Sequence, residues 1–201
     1  MPRDYEFIFK NMEAFASIAS AFGLSTTAGL NAYLPLLVVS LMAKFTSLIT
    51  LNPPWNELTN WWVIGILIVL LIIELVVDKI PAVDTVNDII QTVIRPVAGA
   101  ILFTSSSGVL GQVNPVLTII VGLLLAGGVH AIKATARPLV TATTAGVGNW
   151  VVSSLENISA LTASILSILI PIIIAIIILF IILIMALIIW RWRKRRRRVA
   201  K

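Results

Sequence analysis

The stretch Trp61-Trp62-Val63-Ile64-Gly65-Ile66-Leu67-Ile68-Val69-Leu70-Leu71-Ile72-Ile73-Glu74-Leu75-Val76-Val77-Asp78-Lys79-Ile80-Pro81 decides the fold. From Trp61 to Val77 its one ionisable side chain is Glu74. A run of that length and apolarity reads as a membrane-spanning helix entered through a pair of interfacial tryptophans. Applied to the whole chain, a ruler of about 20 apolar residues per span picks out residues 12–48, 61–77, 86–103, 115–132, 138–155 and 160–190. The sequence therefore predicts an all-α fold, a polytopic transmembrane helical bundle of about six membrane segments, two of them broken or re-entrant. Residues 1–190 form a single helical membrane domain and residues 191–201 a basic cytoplasmic tail. The last segment spans about 46 Å at helical rise, and Pro171 is expected to kink it.

Composition agrees with a membrane protein and narrows its partners. Hydrophobic residues make up 59% of the 201-residue chain and charged ones 12%, with a mean hydropathy of +1.03, far from soluble usage. The net charge of +6 is local. Arg191, Arg193, Lys194, Arg195, Arg196, Arg197, Arg198 and Lys201 supply eight of the fifteen basic residues, which leaves seven against nine acids elsewhere. A basic run directly after an apolar helix anchors at the cytoplasmic face and meets anionic lipid, so no nucleic-acid partner is expected. The chain has no cysteine, which removes thiolate chemistry and Cys-based metal sites. Asp4, Glu6 and Glu13 make residues 1–13 too acidic for the basic start of a signal peptide. With six crossings, Arg3, Lys10, Lys79, Lys133, Arg137 and the tail fall inside and Lys44 outside. That is the distribution the positive-inside rule favours. The expected placement is a bacterial inner membrane, multi-pass, with N- and C-termini cytoplasmic and the 104–114 loop outside.

Two polar interruptions mark the broken segments: Ser25-Thr26-Thr27-Ala28-Gly29-Leu30-Asn31 and Ala142-Thr143-Thr144-Ala145-Gly146-Val147-Gly148-Asn149. Roughly one repeated tetrapeptide is expected by chance in so biased a chain, so the weight rests on the following Asn and the helix-breaking context. Breaks of this kind free backbone N–H and C=O groups at membrane depth, where they can hold a solute. Thr26, Thr27, Gly29, Asn31, Thr143, Thr144, Gly146 and Asn149 are therefore candidate substrate or ion contacts around a shared polar cavity.

The second candidate is charged. Glu74 and Asp78 are four residues apart, as are Asp84 and Asp88 across the turn at Pro81, so each pair shares a helix face. Four acids at one turn suit a hard cation such as Ca²⁺, Mg²⁺ or Mn²⁺, or a proton relay. They suit equally a structural role in which Asp84 caps a helix, Asp88 favours its first-turn dipole, and Glu74 and Asp78 pair with Lys79, Arg95 or Lys133. His130, Lys133 and Arg137 form a basic stripe at spacings of three and four. With Arg95, that stripe is the candidate site for an anion or a lipid headgroup, or the neutralising partner of the acids. A single His without Cys gives no zinc site, so which metal, if any, stays open and no cofactor is expected. No nucleophile elbow, phosphate loop or His-Glu zinc motif is present, so an enzyme is not expected.

At these residues the chain resembles a bacterial integral-membrane family catalogued as domain of unknown function 4126. The resemblance rests on Gly29-Leu30-Asn31-Ala32-Tyr33-Leu34, on Glu74-Leu75-Val76-Val77-Asp78-Lys79-Ile80-Pro81-Ala82-Val83-Asp84, on Ile94-Arg95-Pro96-Val97-Ala98-Gly99-Ala100, and on residues 130–155 with Gly148-Asn149. It covers roughly residues 15–157 and implies a compact multi-span membrane module without naming a substrate. The expected function is a transporter or channel-like protein for a small ion or solute. The alternatives are a lipid flippase or scramblase, and a non-conducting assembly or structural protein whose polar residues join helices. Its expected partners are the bilayer, anionic lipids at the tail and the small ion or solute; a homo-oligomer stays open.

Overall fold

Apolar runs punctuated by Pro, Gly and Asn become helices in the computed structural model, six of them α-helices with both bounds among the described residues, and residues 183–191 are helical as well. The structure describes residues 3–78, 81–106 and 114–171, then 173, 177, 180, 181 and 183–191; the side chains of residues 3–10, 12, 13 and 81–85 fall outside the description. The helices are α1 (Arg3–Ala28), α2 (Tyr33–Phe45), α3 (Trp61–Val77), α4 (Pro81–Ser106), α5 (Pro115–Thr144) and α6 (Val147–Leu169), with a 3₁₀ turn at Trp55–Thr59. No strand occurs among the described residues. Three helical stretches, Val86–Ser106, Pro115–Thr144 and Val147–Leu169, are long and apolar enough to cross a membrane, as befits a membrane protein. Exposed faces rich in Ile, Leu, Val and Trp, such as Ile66, Val69 and Ile73 on α3, suit lipid rather than water.

The boundaries differ from the sequence expectation in two places. Helix α5 runs through Arg137-Pro138 without a break and ends only at Thr144, so residues 138–155 are not a segment of their own. Inside an apolar bundle a proline within a helix is tolerated because neighbouring helices support the segment whose carbonyl it leaves free. Likewise α6 continues through residues 156–159, where a loop was expected, and stops at Ile170, just before Pro171.

Neighbouring contacts set the directions. Ser25 and Phe22 on α1 meet Gly99 and Phe103 on α4, and Ser20, Thr27 and Asn31 meet Ser167, Ser164 and Asn157 on α6. Thus α1 runs antiparallel to both. After the break at residues 29–32, α2 doubles back: Leu48, Ile49 and Thr50 line one cavity with Ser17, Ser20, Leu24 and Ser106. The first broken segment is therefore a hairpin that returns to its own end of the bundle. The second is the turn between two full-length helices, α5 and α6. This corrects the topology: α1 starts from the end that carries Ser106 and Asn114, so a cytoplasmic N-terminus and an outside 104–114 loop cannot both hold.

The core is tightest where α1, α4 and α5 cross. Added Cβ atoms at Gly99 or Gly122 would run into Ala126 or into the opposing backbone, as close as 2.5 Å at Gly122. Small residues let the helices approach this closely. Ser25 Oγ exploits the contact, lying 2.9 Å from the Gly99 carbonyl and 3.1 Å from that of Gly122. Leu24, Leu36, Val39, Leu67 and Leu102 fill the apolar core around it.

Candidate functional site

Each break is built from local hydrogen bonds. At the first, Asn31 Oδ1 accepts from the N–H groups of Tyr33 (3.1 Å) and Leu34 (2.9 Å), capping α2, while its Nδ2 donates to Asn157 Oδ1 at 2.9 Å. Thr26 bonds back to the Phe22 carbonyl, and Thr27 to that of Leu24 with Ser164 Oγ beside it. At the second, Ala145 and Gly146 both take left-handed φ, 51° and 87°. The Gly146 N–H returns to the Thr141 carbonyl at 3.1 Å, a helix stop in which αL residues turn the chain. Thr143 bonds back to Leu139 and Val140, Thr144 Oγ1 accepts from the Gly148 N–H, and Asn149 pairs with Thr141.

The eight residues of the two breaks do not face one cavity. Thr143 and Thr144 are exposed, whereas Thr27, Asn31 and Asn149 are buried at separate helix contacts. The reason is that hydroxyls bond back to the preceding turn and an Asn can cap a helix start, so neither needs a solute. Gly29 is required for a different purpose, since a Cβ there would come within 2.5 Å of the Ala126 carbonyl and of Val129.

The charged candidates do come together. Arg95 is fully buried and bridges two helices: Nη2 meets Glu74 Oε1 at 3.0 Å, and Nη1 lies 2.9 Å from His130 Nδ1. Since a guanidinium only donates, Nδ1 accepts and the His130 proton sits on Nε2. Nε2 then donates to Thr92 Oγ1 at 3.1 Å, and Thr92 donates to the Asp88 carbonyl at 2.8 Å. One turn further along α5, Lys133 Nζ touches Glu156 (2.9 Å), Asp78 (3.7 Å) and the Leu30 carbonyl (3.0 Å). Arg137 reaches Asp78 and Glu156, each at 3.3 Å, and Asp88 at 3.4 Å. Asn87 Nδ2 satisfies Asp78 Oδ1 at 3.0 Å. The carboxylates thus lie on α4, α6 and the end of α3, the cations on α4 and α5, and the tip of the α1–α2 hairpin is tied in through Leu30.

Two features of this cluster were not anticipated from sequence. Glu156, placed in a loop by the apolar ruler, supplies the closest partner of Lys133. Its signal was available in the spacing Asn149, Ser153, Glu156, Asn157, Ser164 and Ser167, a polar stripe at helical period. Gln91, buried on α4, also went unremarked. The Asp84 side chain lies outside the described residues, and among those residues no group of His, Cys, Asp and Glu is disposed to hold a metal ion.

A family model described as Domain of unknown function (DUF4126) matches residues 18–192. The chain belongs to this family. No curated protein and no solved structure matches the chain. The DUF4126 match takes in both breaks, the ionic cluster and the polar face of α6, so the cluster is part of the family module rather than an appendage to it.

Within that DUF4126 module, α6 is polar on the side it buries and apolar on the side it exposes. Asn149, Ser153, Ser164 and Ser167 are buried, while Val151, Leu155, Ile158 and Leu161 are exposed. Its polar face meets Ser20 and Thr27 of α1 and Asn31 in the break that follows. From Asn157, beside the ionic cluster, to Ser167 this seam covers about 15 Å at helical rise. There a cavity of about 80 Å³ is lined in part by Ser17, Ser20, Thr50 and Ser106, room for two or three waters at ~30 Å³ each.

Proposed function

We infer that the chain moves a small ion across the membrane, along the α1–α6 seam between the serine-lined cavity and the ionic cluster. The observation that carries this reading is the set of buried polar contacts of α6 at Asn157, Ser164 and Ser167, which begins beside Lys133 and Glu156. Ionisable groups at membrane depth are costly and mark ion pathways or proton relays. Ser153, one turn past Glu156 toward the α5–α6 turn, is fully buried, with no hydrogen-bond partner for its hydroxyl among the described residues. Such a group suits a route that admits water or an ion.

The test is ion flux in proteoliposomes against a panel of ions, run beside a fluorescent-lipid scrambling assay. Wild type and Ser164→Ala should conduct, and Ser164→Leu, which plugs the seam where α6 meets Thr27, should not. Tight wild-type vesicles for every ion would end the reading. Lipid handling is the weaker alternative because the stripe that would receive a headgroup is turned inward: Lys133 and Arg137 already hold Asp78 and Glu156. A non-conducting assembly role is favoured by one observation. Ser164 and Ser167 bond to carbonyls of their own helix, at 2.6 Å each, and so are satisfied without any solute.

A further inference from the structure

The charges of the cluster do not balance, and the imbalance can be traced to one residue. Four carboxylates, Glu74, Asp78, Asp88 and Glu156, face three permanent cations, Arg95, Lys133 and Arg137, and the hydrogen bond from Arg95 keeps His130 neutral. These are the ionisable side chains of the cluster among the described residues. Glu74 has Arg95 to itself at 3.0 Å on Oε1, although its Oε2 is buried with no partner among the described residues. Asp78 is held on both oxygens, by Asn87 and by Arg137 with Lys133, and Glu156 has the shortest contact to Lys133. Asp88 is held least. Among the described residues its one ion pair is the 3.4 Å contact to Arg137, which it shares with Asp78 and Glu156, and its Oδ1 is buried with no partner.

We propose that Asp88 is the carboxyl of this cluster that takes up and releases a proton. The surplus negative charge calls for one positive charge. A metal ion would have to sit against the Lys133 ammonium and the Arg137 guanidinium, whereas a proton adds no volume and removes the charge from a buried carboxylate oxygen that no donor satisfies among the described residues. The step is a simple transfer: a proton from water bonds to Oδ1, the side chain becomes neutral, and the Arg137 contact weakens. The groups facing it are Asp78 at the end of α3, Arg95 on its own helix, Lys133 and Arg137 on α5, His130 through the Thr92 bridge, and Glu156 on α6. From the hairpin the nearest described link is the Leu30 carbonyl, held by Lys133. Arg137 joins Asp88, Asp78 and Glu156, and Lys133 joins the last two to Leu30, so neutralising Asp88 redistributes the two cations and changes the hold on the hairpin tip.

This assignment rests on the ion-transport reading, as the identity of the coupled ion, but its test involves no transport. Infrared difference spectra of the purified full chain in nanodiscs, recorded across an acidification, report the carbonyl stretch of a carboxylic acid shielded from water. Wild type should gain one such band. Carbon-13 labelling of Asp carboxyls should shift it and Glu labelling should not; Asp88→Asn should remove it and Asp78→Asn should leave it. A band that shifts with Glu labelling, one that survives Asp88→Asn, or no shielded acid band at all would overturn the assignment. The labelling arm uses wild type alone, so a variant that fails to fold does not spare the proposal. A band that follows Asp88 in a protein without ion flux would keep the assignment and sink the transport reading; flux without the band would do the reverse.

Discussion

Arg95 and Glu74 form the most deeply buried ion pair described, with side-chain exposures of 0% and 1%. Removing one member of such a pair leaves the other charged and unpaired, at a cost of about 3 to 5 kcal/mol. Glu74→Gln is therefore expected to lower the melting temperature strongly in detergent, and Arg95→Met to do the same. The double variant Glu74→Gln with Arg95→Gln should recover part of the loss, because no uncompensated charge is left behind. A Glu74→Gln protein as stable as wild type would show that the pair contributes nothing to folding. The acids and bases were visible in the sequence as separate clusters with an undecided relation. What decided it is the antiparallel packing of α4 against α5, which brings Arg95 to His130 and Asp88 to Arg137 across 35 and 49 residues of chain. No local spacing encodes such long-range pairs.

At the scale of the elements, the two Thr-Thr-Ala-Gly sequences were legible as breaks but not as different kinds of break. Both do end a helix, since Gly29 lies in the turn after α1 and Gly146 in the turn after α5. The first turns within a hairpin and the second joins two spans, a distinction set by how long the flanking helices are rather than by the shared residues. Ala145 is the misfit, a non-glycine residue at φ 51°. Left-handed backbone costs an L-residue with a Cβ roughly 1 kcal/mol or more relative to glycine. Ala145→Gly should accordingly stabilise the α5–α6 turn by up to about 1 kcal/mol, offset in part by the greater entropy of glycine in the unfolded chain. Ala145→Val should destabilise it, and a thermal-shift comparison of the two variants checks both signs. At Gly122 the argument is steric: an added methyl would stand 2.5 Å from the Gly99 carbonyl oxygen. Gly122→Ala must prise α4 from α5, so it should disturb the ionic cluster at a distance as well as lower stability.

For the whole molecule, the apolar runs gave the helical membrane class correctly because length and hydropathy are local properties. They could not give the path of the chain, because a long apolar stretch reads alike whether it crosses or turns back. The hairpin makes a prediction about sidedness that the six-crossing arrangement contradicts. Ser17 and Ser20 share a cavity with Leu48, Ile49 and Thr50, so Asn11, about two turns before Ser17, lies at the same end of the bundle as Asn52. Asn114, at the start of α5, belongs to that end too, whereas Thr143, at the end of α5, belongs to the other. Asn11, Asn52, Asn114 and Thr143 are all exposed, and the chain has no cysteine of its own, so single-Cys variants at the four positions report cleanly. An impermeant thiol reagent should label Asn11→Cys, Asn52→Cys and Asn114→Cys from one face of sealed vesicles and Thr143→Cys from the opposite face. Six separate crossings would instead put Asn11 across the membrane from Asn52 and bury Thr143 at mid-depth. Labelling of Asn11→Cys and Asn52→Cys from opposite faces would therefore dismantle the hairpin and, with it, the placement of the Leu30 carbonyl beside Lys133 on which the coupling between the ionic cluster and the hairpin tip depends.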